Sequence, residues 1–397
     1  MNSNILQLKQ QLKDELTQNI LPFWMDKMVD ETQGGFYGRM TGENDIVSTA
    51  PKGAILNARI LWTFSSAYRL LKKPEYLITA TRAKDYLLQY FWDTKNGGIF
   101  WQLDSEGKPI DTKKQIYAQG FAIYGLSEYA RATGDTEALD KAVQLYELIE
   151  KYSFDTKLNG YFEAFSCQWG EIADMRLSDK DANEKKTMNS HLHILEPYTN
   201  LYRVWPSAQL KQSLHNLITL FLDKILDSTG HLQLFFDEQW YSKKNIVSYG
   251  HDIEASWLLY EAAVELGDEA LLHRVIVVVP AIVKAASEGL QEDGSLIYEK
   301  DEDTAHVEAD RHWWVQAEAV VGYWYAYQLT GNEAYLQKTE NCWQYIQNHL
   351  IDRENGEWFW SFKTDGSVNM TDDKAGFWKC PYHNGRMCME LIAGILD

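Results

Sequence analysis

Apolar side chains recur along this chain with a helical period, interrupted at regular intervals by turns, and that alternation sets the architecture. In NARILWTFSSAYRLL, Ile60, Leu61, Phe64, Tyr68 and Leu71 stand at i, i+1, i+4, i+8 and i+11, a broad stripe on one helical face rather than the alternation of a strand. Between such stretches a turn rich in Gly, Asn and Asp leads into a short aromatic ribbon. The ribbon occurs as DETQGGFYGRM from Asp30, DTKNGGIFWQLDSEG from Asp93, DTKLNGYFEAF from Asp155, DSTGHLQLFFDEQW from Asp227, EDGSLIYEKDED from Glu292 and DRENGEWFWSFKTDG from Asp352. Gly and Asn supply the positive-φ positions of tight turns, so each ribbon predicts a short hairpin.

A second marker runs out of phase with the first: KKPEYL at Lys72, GDTEAL at Gly134, WPSAQL at Trp205, GDEALL at Gly267 and GNEAYL at Gly331. It reads as a helix stop, a loop and a restart, with Gly at the end of one helix and an acidic residue at the start of the next. Each repeat is then helix, tight loop, helix, ribbon. Val275 to Val279 is β-branched and has strand propensity, but its phase in the repeat predicts helix. A helical hairpin cannot bury its own apolar face, so six of them stack side by side and close. The expectation is an all-α fold, an (α/α)6 barrel (a six-hairpin toroid) with short β-hairpins at one end, built as a single catalytic domain over residues 1–397. The polar stretch from Leu177 to Thr187 reads as a surface loop over the opening.

Composition narrows the chemistry. A formal charge of −19, from 38 Lys+Arg against 57 Asp+Glu, repels phosphate backbones and anionic lipid, so neither nucleic acid nor a membrane surface is expected as a partner. The longest apolar run, Val275 to Val283, is interrupted by Pro280 and falls short of the roughly 20 residues of a membrane span. The N-terminus MNSNILQLKQQLKDEL lacks the apolar core of a secretory signal, and Cys167, Cys342, Cys380 and Cys388 form no CxxC pair. Both point to a cytoplasmic protein with reduced thiols, a monomer or weak homo-oligomer. The 15 Trp, 23 Tyr and 15 Phe offer the flat faces on which a neutral sugar stacks.

Candidate chemistry comes from what lies early in the helix after each ribbon, because in a closed ring those positions face one mouth. They are Arg59, Tyr117, the Asn189/His193/Glu196 group, His251 with Glu254, Trp314, and Trp378 with His383. A core role is the ordinary reading of any one of them; the shared phase favours a common site. Asn189, His193 and Glu196 stand at i, i+4 and i+7, one polar stripe, which puts His191 on another side as a supporting or core residue. His251 and Glu254 stand at i and i+3, so the carboxylate is placed to hold the imidazole. No HExxH is present and the histidines lie on different repeats, so no metal is expected. Mouth-facing acids Glu196, Glu254 and Glu318 keep a glycosidase as the alternative class.

The segments NSHLHILEPYTNLYR, YGHDIEASWLL and GFWKCPYHNGRMCMEL, with the Arg59 helix and the GGFYGRM ribbon, resemble the cellobiose 2-epimerase branch of the N-acylglucosamine 2-epimerase superfamily over nearly the whole chain. The resemblance implies an (α/α)6 barrel and a cofactor-free isomerase. Such an enzyme inverts C2 of the reducing-end glucose of β-1,4-linked disaccharides, taking cellobiose to glucosyl-mannose, with lactose and mannobiose as related substrates. It implies His251 and His383 as the acid/base pair at C2, His193 as the group assisting ring opening, and Arg59 as the cation beside the oxyanion. Trp314 and Trp378 resemble stacking platforms, with Tyr117, Asn189 and Glu254 as supporting contacts; Glu196 and His191, from the same helical stripe and its neighbour, complete the candidate substrate-binding set. In HWWVQAE, His312 and Trp313 are placed to exchange roles with Trp314. The alternatives are a monosaccharide or N-acylglucosamine 2-epimerase or aldose–ketose isomerase of the same superfamily, an (α/α)6 glycoside hydrolase, and a non-catalytic sugar-binding protein.

Overall fold

The stop and restart signals act where the sequence puts them. In a computed structural model describing residues 3–394, the chain is mostly helical. Helix α1 (Ser3–Asp14) continues through a π-helical turn into α2 (Leu21–Asp26). Five helical hairpins follow: α3 (Ala54–Leu71) with α4 (Pro74–Tyr86), α5 (Ile116–Thr133) with α6 (Thr136–Tyr152), α7 (Met188–Val204) with α8 (Ala208–Leu220), α9 (Tyr249–Leu266) with α10 (Glu269–Ala286), and α11 (Trp313–Thr330) with α12 (Glu333–His349). Helix α13 (Tyr382–Gly394) ends the described chain. Gly134, Gly267 and Gly331 end α5, α9 and α11 in the left-handed conformation, and Asp135, Ser207, Asp268 and Asn332 cap the helices that follow by accepting backbone N–H groups.

Helices α3, α5, α7, α9, α11 and α13 are buried on nearly every face and pack each on the next, and α13 packs on α3, so the contacts form a cycle. The other helix of each hairpin lies outside and buries a single stripe. Only five hairpins are contiguous in sequence. The sixth is assembled from the two ends of the chain, with α1 packed on α13. The β-branched run Val275–Val279 is helical, inside α10, as its phase requires. By length and composition the segment Glu269–Gly289 is apolar enough to cross a membrane. Leu271, Val275, Val279, Ile282 and Val283 of that segment are buried, and α10 packs on α9.

Each ribbon turn is closed by one antiparallel bridge, Val29↔Phe36, Trp92↔Ile99, Phe154↔Tyr161, Leu226↔Leu232, Leu290↔Leu296 and Ile351↔Trp358. Beyond the bridge the ribbon does not fold back on itself alone. It pairs antiparallel with the strand leading into the preceding inner helix: Gln102–Leu103 with Lys52–Gly53, Ala164–Phe165 with Lys114–Gln115, Phe235–Phe236 with Lys186–Thr187, Glu299–Asp301 with Ile246–Ser248, and Ser361–Phe362 with Arg311–His312. The bridge Met40↔Ala375 supplies the equivalent link where the chain ends meet.

Ion pairs lock these strands. The Asp that opens a turn accepts turn N–H groups with one carboxylate oxygen and a buried lysine with the other. Asp30 takes Lys52 (2.8 Å), Asp93 takes Lys114 (2.9 Å) and Asp155 takes Lys186 (2.8 Å), each lysine standing two residues before an inner helix, and Asp352 takes Lys374. Lys114 and Asp93 have side chains 0% and 4% exposed, so removing one partner strands the other charge away from water. Lys114→Met is expected to lower stability by about 3–5 kcal/mol in denaturant melts, with Lys114→Met/Asp93→Asn recovering more than half of the loss. A single variant as stable as the unsubstituted protein would show that the pair is not needed.

Candidate active site

All six inner helices start at the same end of the ring, and their first three turns carry the side chains selected from the sequence. Arg59 comes from α3, Tyr117 from α5, Asn189, His193 and Glu196 from α7, His251 and Glu254 from α9, Trp314 and Glu318 from α11, and His383 from α13, with Trp378 just ahead of it. The structure brings them together. Half-buried Trp314 lies 4.8 Å, centroid to centroid, from the ring of His251 and 5.6 Å from that of His383. Tyr117 lies 4.9 Å from His193 and 6.0 Å from half-buried Trp378. Arg59 Nη2 donates to the Tyr117 hydroxyl (2.8 Å) and Nη1 to the Trp378 carbonyl (3.3 Å), while its guanidinium covers Phe121 and Tyr382. Its Nε and the Asn189 Oδ1 have no hydrogen-bond partner in the protein.

Beneath this layer is a second one, which local spacing did not reveal. Arg386 Nη1 donates to Glu196 and to the Tyr382 hydroxyl, and Nη2 donates to Glu254 (2.7 Å) and Glu318 (2.7 Å). Tyr382 also donates to Glu196. Two of the carboxylates reach up to hold imidazoles: His193 Nδ1 donates to Glu196 Oε2 (3.0 Å) and His383 Nδ1 donates to Glu318 Oε1 (2.7 Å). With Nδ1 thus used, each of these rings keeps the lone pair of Nε2 free. Arg386 stands three residues after His383, as Glu196 stands after His193, so a signal for it was present in the sequence.

Several assignments need correction. Glu254 does not hold His251; it is committed to Arg386, and His251 Nδ1 is instead bonded to the Ser248 hydroxyl (2.7 Å). Glu196, 2% exposed, is bonded to Arg386 and His193, and Glu254, 1% exposed, to Arg386, so both hold the groups above them. His191 leaves the substrate set as well: its Nδ1 donates to the Thr187 carbonyl (2.7 Å) and its Nε2 accepts from the Tyr161 amide (2.9 Å), using both nitrogens in the wall. Trp313 is buried against Trp360, which leaves Trp314 as the exposed face. His312 stacks on Tyr298 (4.3 Å, 12°), and Tyr298 meets Trp314 edge-on (6.0 Å). The loop before Lys186 reaches this rim. The charges of Lys180 and Asp181 act on Glu299, whose carboxyl is pushed up to about 7 by burial and by Glu308 and Asp181.

Electrostatics set the protonation states. Burial, followed by the neighbouring His193 and His383, pushes His251 down to about 3; burial does the same to His383 against the pull of Glu318, again to about 3. His193 is lowered by burial and only partly restored by Glu196. Arg59 and Arg386 keep their charge, because nearby phenols and carboxylates outweigh the cost of burial. Burial opposes ionisation of Glu196 and Glu318, but Arg386 and the histidines hold both below the usual carboxylate range. Glu254 goes the other way: burial and the Glu318 charge push it up despite Arg386.

Glu254, Glu318 and His383 bring ligand atoms within 4.8 Å of one another, a spacing that suits a metal ion. The Arg386 guanidinium bonds both carboxylates there, so these groups already have their cation. The same commitment leaves Glu196, Glu254 and Glu318 unavailable as the free carboxyl pair a glycosidase needs. What the arrangement offers is three neutral imidazoles, a fixed guanidinium and stacking faces around one recess.

The family model for N-acylglucosamine 2-epimerase matches residues 35–385. The cellobiose 2-epimerase of Bacteroides fragilis is 62% identical over 97% of this chain and 98% of that protein, and that of Ruminococcus albus is 41% identical over 98% and 99%. The solved cellobiose 2-epimerase from Bacillus thermoamylovorans B4167 superposes with a TM-score of 0.93 at 43% identity, covering 98% of this chain and 100% of that one.

Because burial disfavours the charged ring, His251 and His383 should stay neutral where an ordinary histidine titrates. Imidazole NMR is expected to show no protonation step for either ring between about pH 5 and pH 8. A step near 6.5 for either would mean that the recess is wet.

Proposed function

The chain belongs to the N-acylglucosamine 2-epimerase family of carbohydrate epimerases, and from that premise we propose that it inverts C2 of the reducing-end glucose of β-1,4-linked disaccharides, cellobiose first, with lactose and mannobiose as further substrates. The whole chain serves as one (α/α)6-barrel domain, a reading supported by the cycle of inner-helix contacts. It acts in the cytoplasm as a monomer or weak homo-oligomer, on a neutral small molecule, without a cofactor and without nucleic-acid or membrane partners.

The observation that carries the activity is the pair of imidazoles, His251 and His383, that meet one tryptophan, Trp314, and are lowered by burial, with the Arg59 charge acting on His383. A pyranose has no acidic C2 hydrogen until its hemiacetal opens. His193, next to Tyr117 and backed by Glu196, moves the proton from O1 to the ring oxygen as that C–O bond breaks. In the open aldehyde, the C2–H pair can delocalise onto O1. His383 Nε2 removes the proton, the C1–C2 double bond forms, and the negative charge on O1 is met by Arg59, a contact of the kind worth several kcal/mol in an oxyanion hole. The imidazolium formed on His383 is stabilised by Glu318 at 2.7 Å.

Inversion requires the proton to return to the other face of C2. Of the two imidazoles, only His383 is backed by a carboxylate; His251 has a hydroxyl. That asymmetry favours a route in which His383 takes the proton and, after rotation about C2–C3, returns it, while His251 holds a sugar oxygen. Trp314 and Trp378 stack the two sugar rings.

Cellobiose incubated in D2O is expected to give glucosyl-mannose with deuterium at C2, read by NMR. Release of free glucose would sink the proposal, and preference for free glucose or mannose would move it to the monosaccharide enzymes. In a single turnover, partial retention of the original hydrogen at product C2 supports the one-histidine route, and complete solvent labelling favours two bases. His383→Asn should lower kcat by at least about 100-fold. Trp378→Ala should raise KM about tenfold with kcat little changed.

A further inference from the structure

Ser248 is the residue that starts α9, and its hydroxyl does something unusual for that position. Serine at a helix start ordinarily accepts a backbone N–H of the first turn, as Thr187 does at the start of α7 by accepting from Ser190. Ser248 makes no such cap bond. Its Oγ turns to His251, three residues on, and meets Nδ1 at 2.7 Å. Ser248 is 1% exposed, so water does not compete for this bond. The groups around the ring are His193 from α7, Glu318 and Trp314 from α11 and His383 from α13, and no hydrogen bond joins any of them to Nδ1.

Resting on the epimerase reading above, we propose that Ser248 is the positioning residue of His251, and that its hydroxyl lets this one imidazole hold either tautomer. The carboxylates behind His193 and His383 can only accept, which fixes Nδ1–H and leaves Nε2 as a lone pair. A hydroxyl does both. When Ser248 donates, Nδ1 is the acceptor and Nε2–H faces the recess as a donor to a sugar oxygen. When Ser248 accepts, Nδ1–H is the donor and Nε2 is an acceptor for a sugar hydroxyl. A reversible epimerase presents to this site both an aldehyde with its neighbouring hydroxyl and an enediolate, whose oxygens differ in which end of a hydrogen bond they need. A fixed tautomer would match only one of them.

Because no cap bond is lost, Ser248→Ala removes the partner of His251 without unfastening the helix. Two measurements on Ser248→Ala test the proposal: steady-state epimerisation of cellobiose, and 15N shifts of the imidazole nitrogens in histidine-labelled protein. The expected result is a kcat about tenfold lower, the loss of one neutral hydrogen bond, with KM within about twofold. His251 nitrogen shifts should move while those of His193 and His383 stay. Unchanged kcat, a loss confined to KM, or unmoved His251 shifts would each overturn the role of Ser248. Failure of the unsubstituted protein to epimerise any disaccharide would instead count against the epimerase reading, and the shifts alone would still decide whether Ser248 sets the His251 tautomer.

Discussion

Two buried guanidiniums hold this ring together at its mouth. Arg386, on α13, reaches Glu196 on α7, Glu254 on α9 and Glu318 on α11. Arg59, on α3, reaches Tyr117 on α5 and the Trp378 carbonyl ahead of α13. Between them they touch all six inner helices. Stranding a buried charge by removing its ion partner costs about 3–5 kcal/mol, so α7, α9 and α11 cannot slide against α13 without breaking the Arg386 pairs. Apolar residues of the same volume would hold the helices with less desolvation, but would fix no register. The register matters because Glu196 and Glu318 also aim His193 and His383.

The ribbons do the same work one layer out. The start of an inner helix is a poor place to build a site, since its first turn lacks intrahelical partners and frays. Here the strand before the helix is laddered to the next ribbon, and a lysine two residues ahead of the first turn is locked to a turn aspartate at Asp30/Lys52, Asp93/Lys114 and Asp155/Lys186. In the fourth repeat no lysine precedes the helix. His231 instead pairs with Asp252 (2.6 Å), the residue beside His251, and holds the same turn from its other side. Close helix approach completes the frame: a Cβ on Gly120 of α5 would lie 2.3 Å from the His193 carbonyl, so any side chain there would push a site helix outward.

Phase in a repeat is readable from sequence, and partnership across a ring is not. Arg59, Tyr117, His193, His251, Trp314 and His383 were found because equivalent positions in a closed ring must converge. His191 was set apart from His193 by helical spacing alone, and its bonds to Thr187 and Tyr161 show why it belongs to the wall. Pairing His251 with Glu254 failed because i, i+3 spacing offers a neighbour without saying what else competes for it. Arg386 carries a full charge, His251 is neutral, and the carboxyl goes to the charge. Arg386 itself is 190 residues from Glu196 in sequence, and its three carboxylate partners stand on three other helices, a convergence that no local spacing shows. The sixth hairpin was half visible: five stop and restart markers left one unit to be made from the two chain ends.

The charge arithmetic of the site explains how an acidic protein presents a suitable cavity for an uncharged sugar. The chain carries −19 overall. At the site, Arg386 and the histidines favour the ionised forms of Glu196 and Glu318, Arg59 and Arg386 keep their charge, and burial pushes Glu254 and the three imidazoles towards their neutral forms, so charges of both signs stand together. The proposed substrate, a neutral disaccharide, adds no charge to this set. The proposed enediolate would bring a proton onto His383, whose Nδ1 is bonded to Glu318, and a negative charge onto an oxygen that Arg59 is there to meet. On the proposed route the site would gain most where charge separates, and interactions that strengthen only there are the ones that accelerate a reaction.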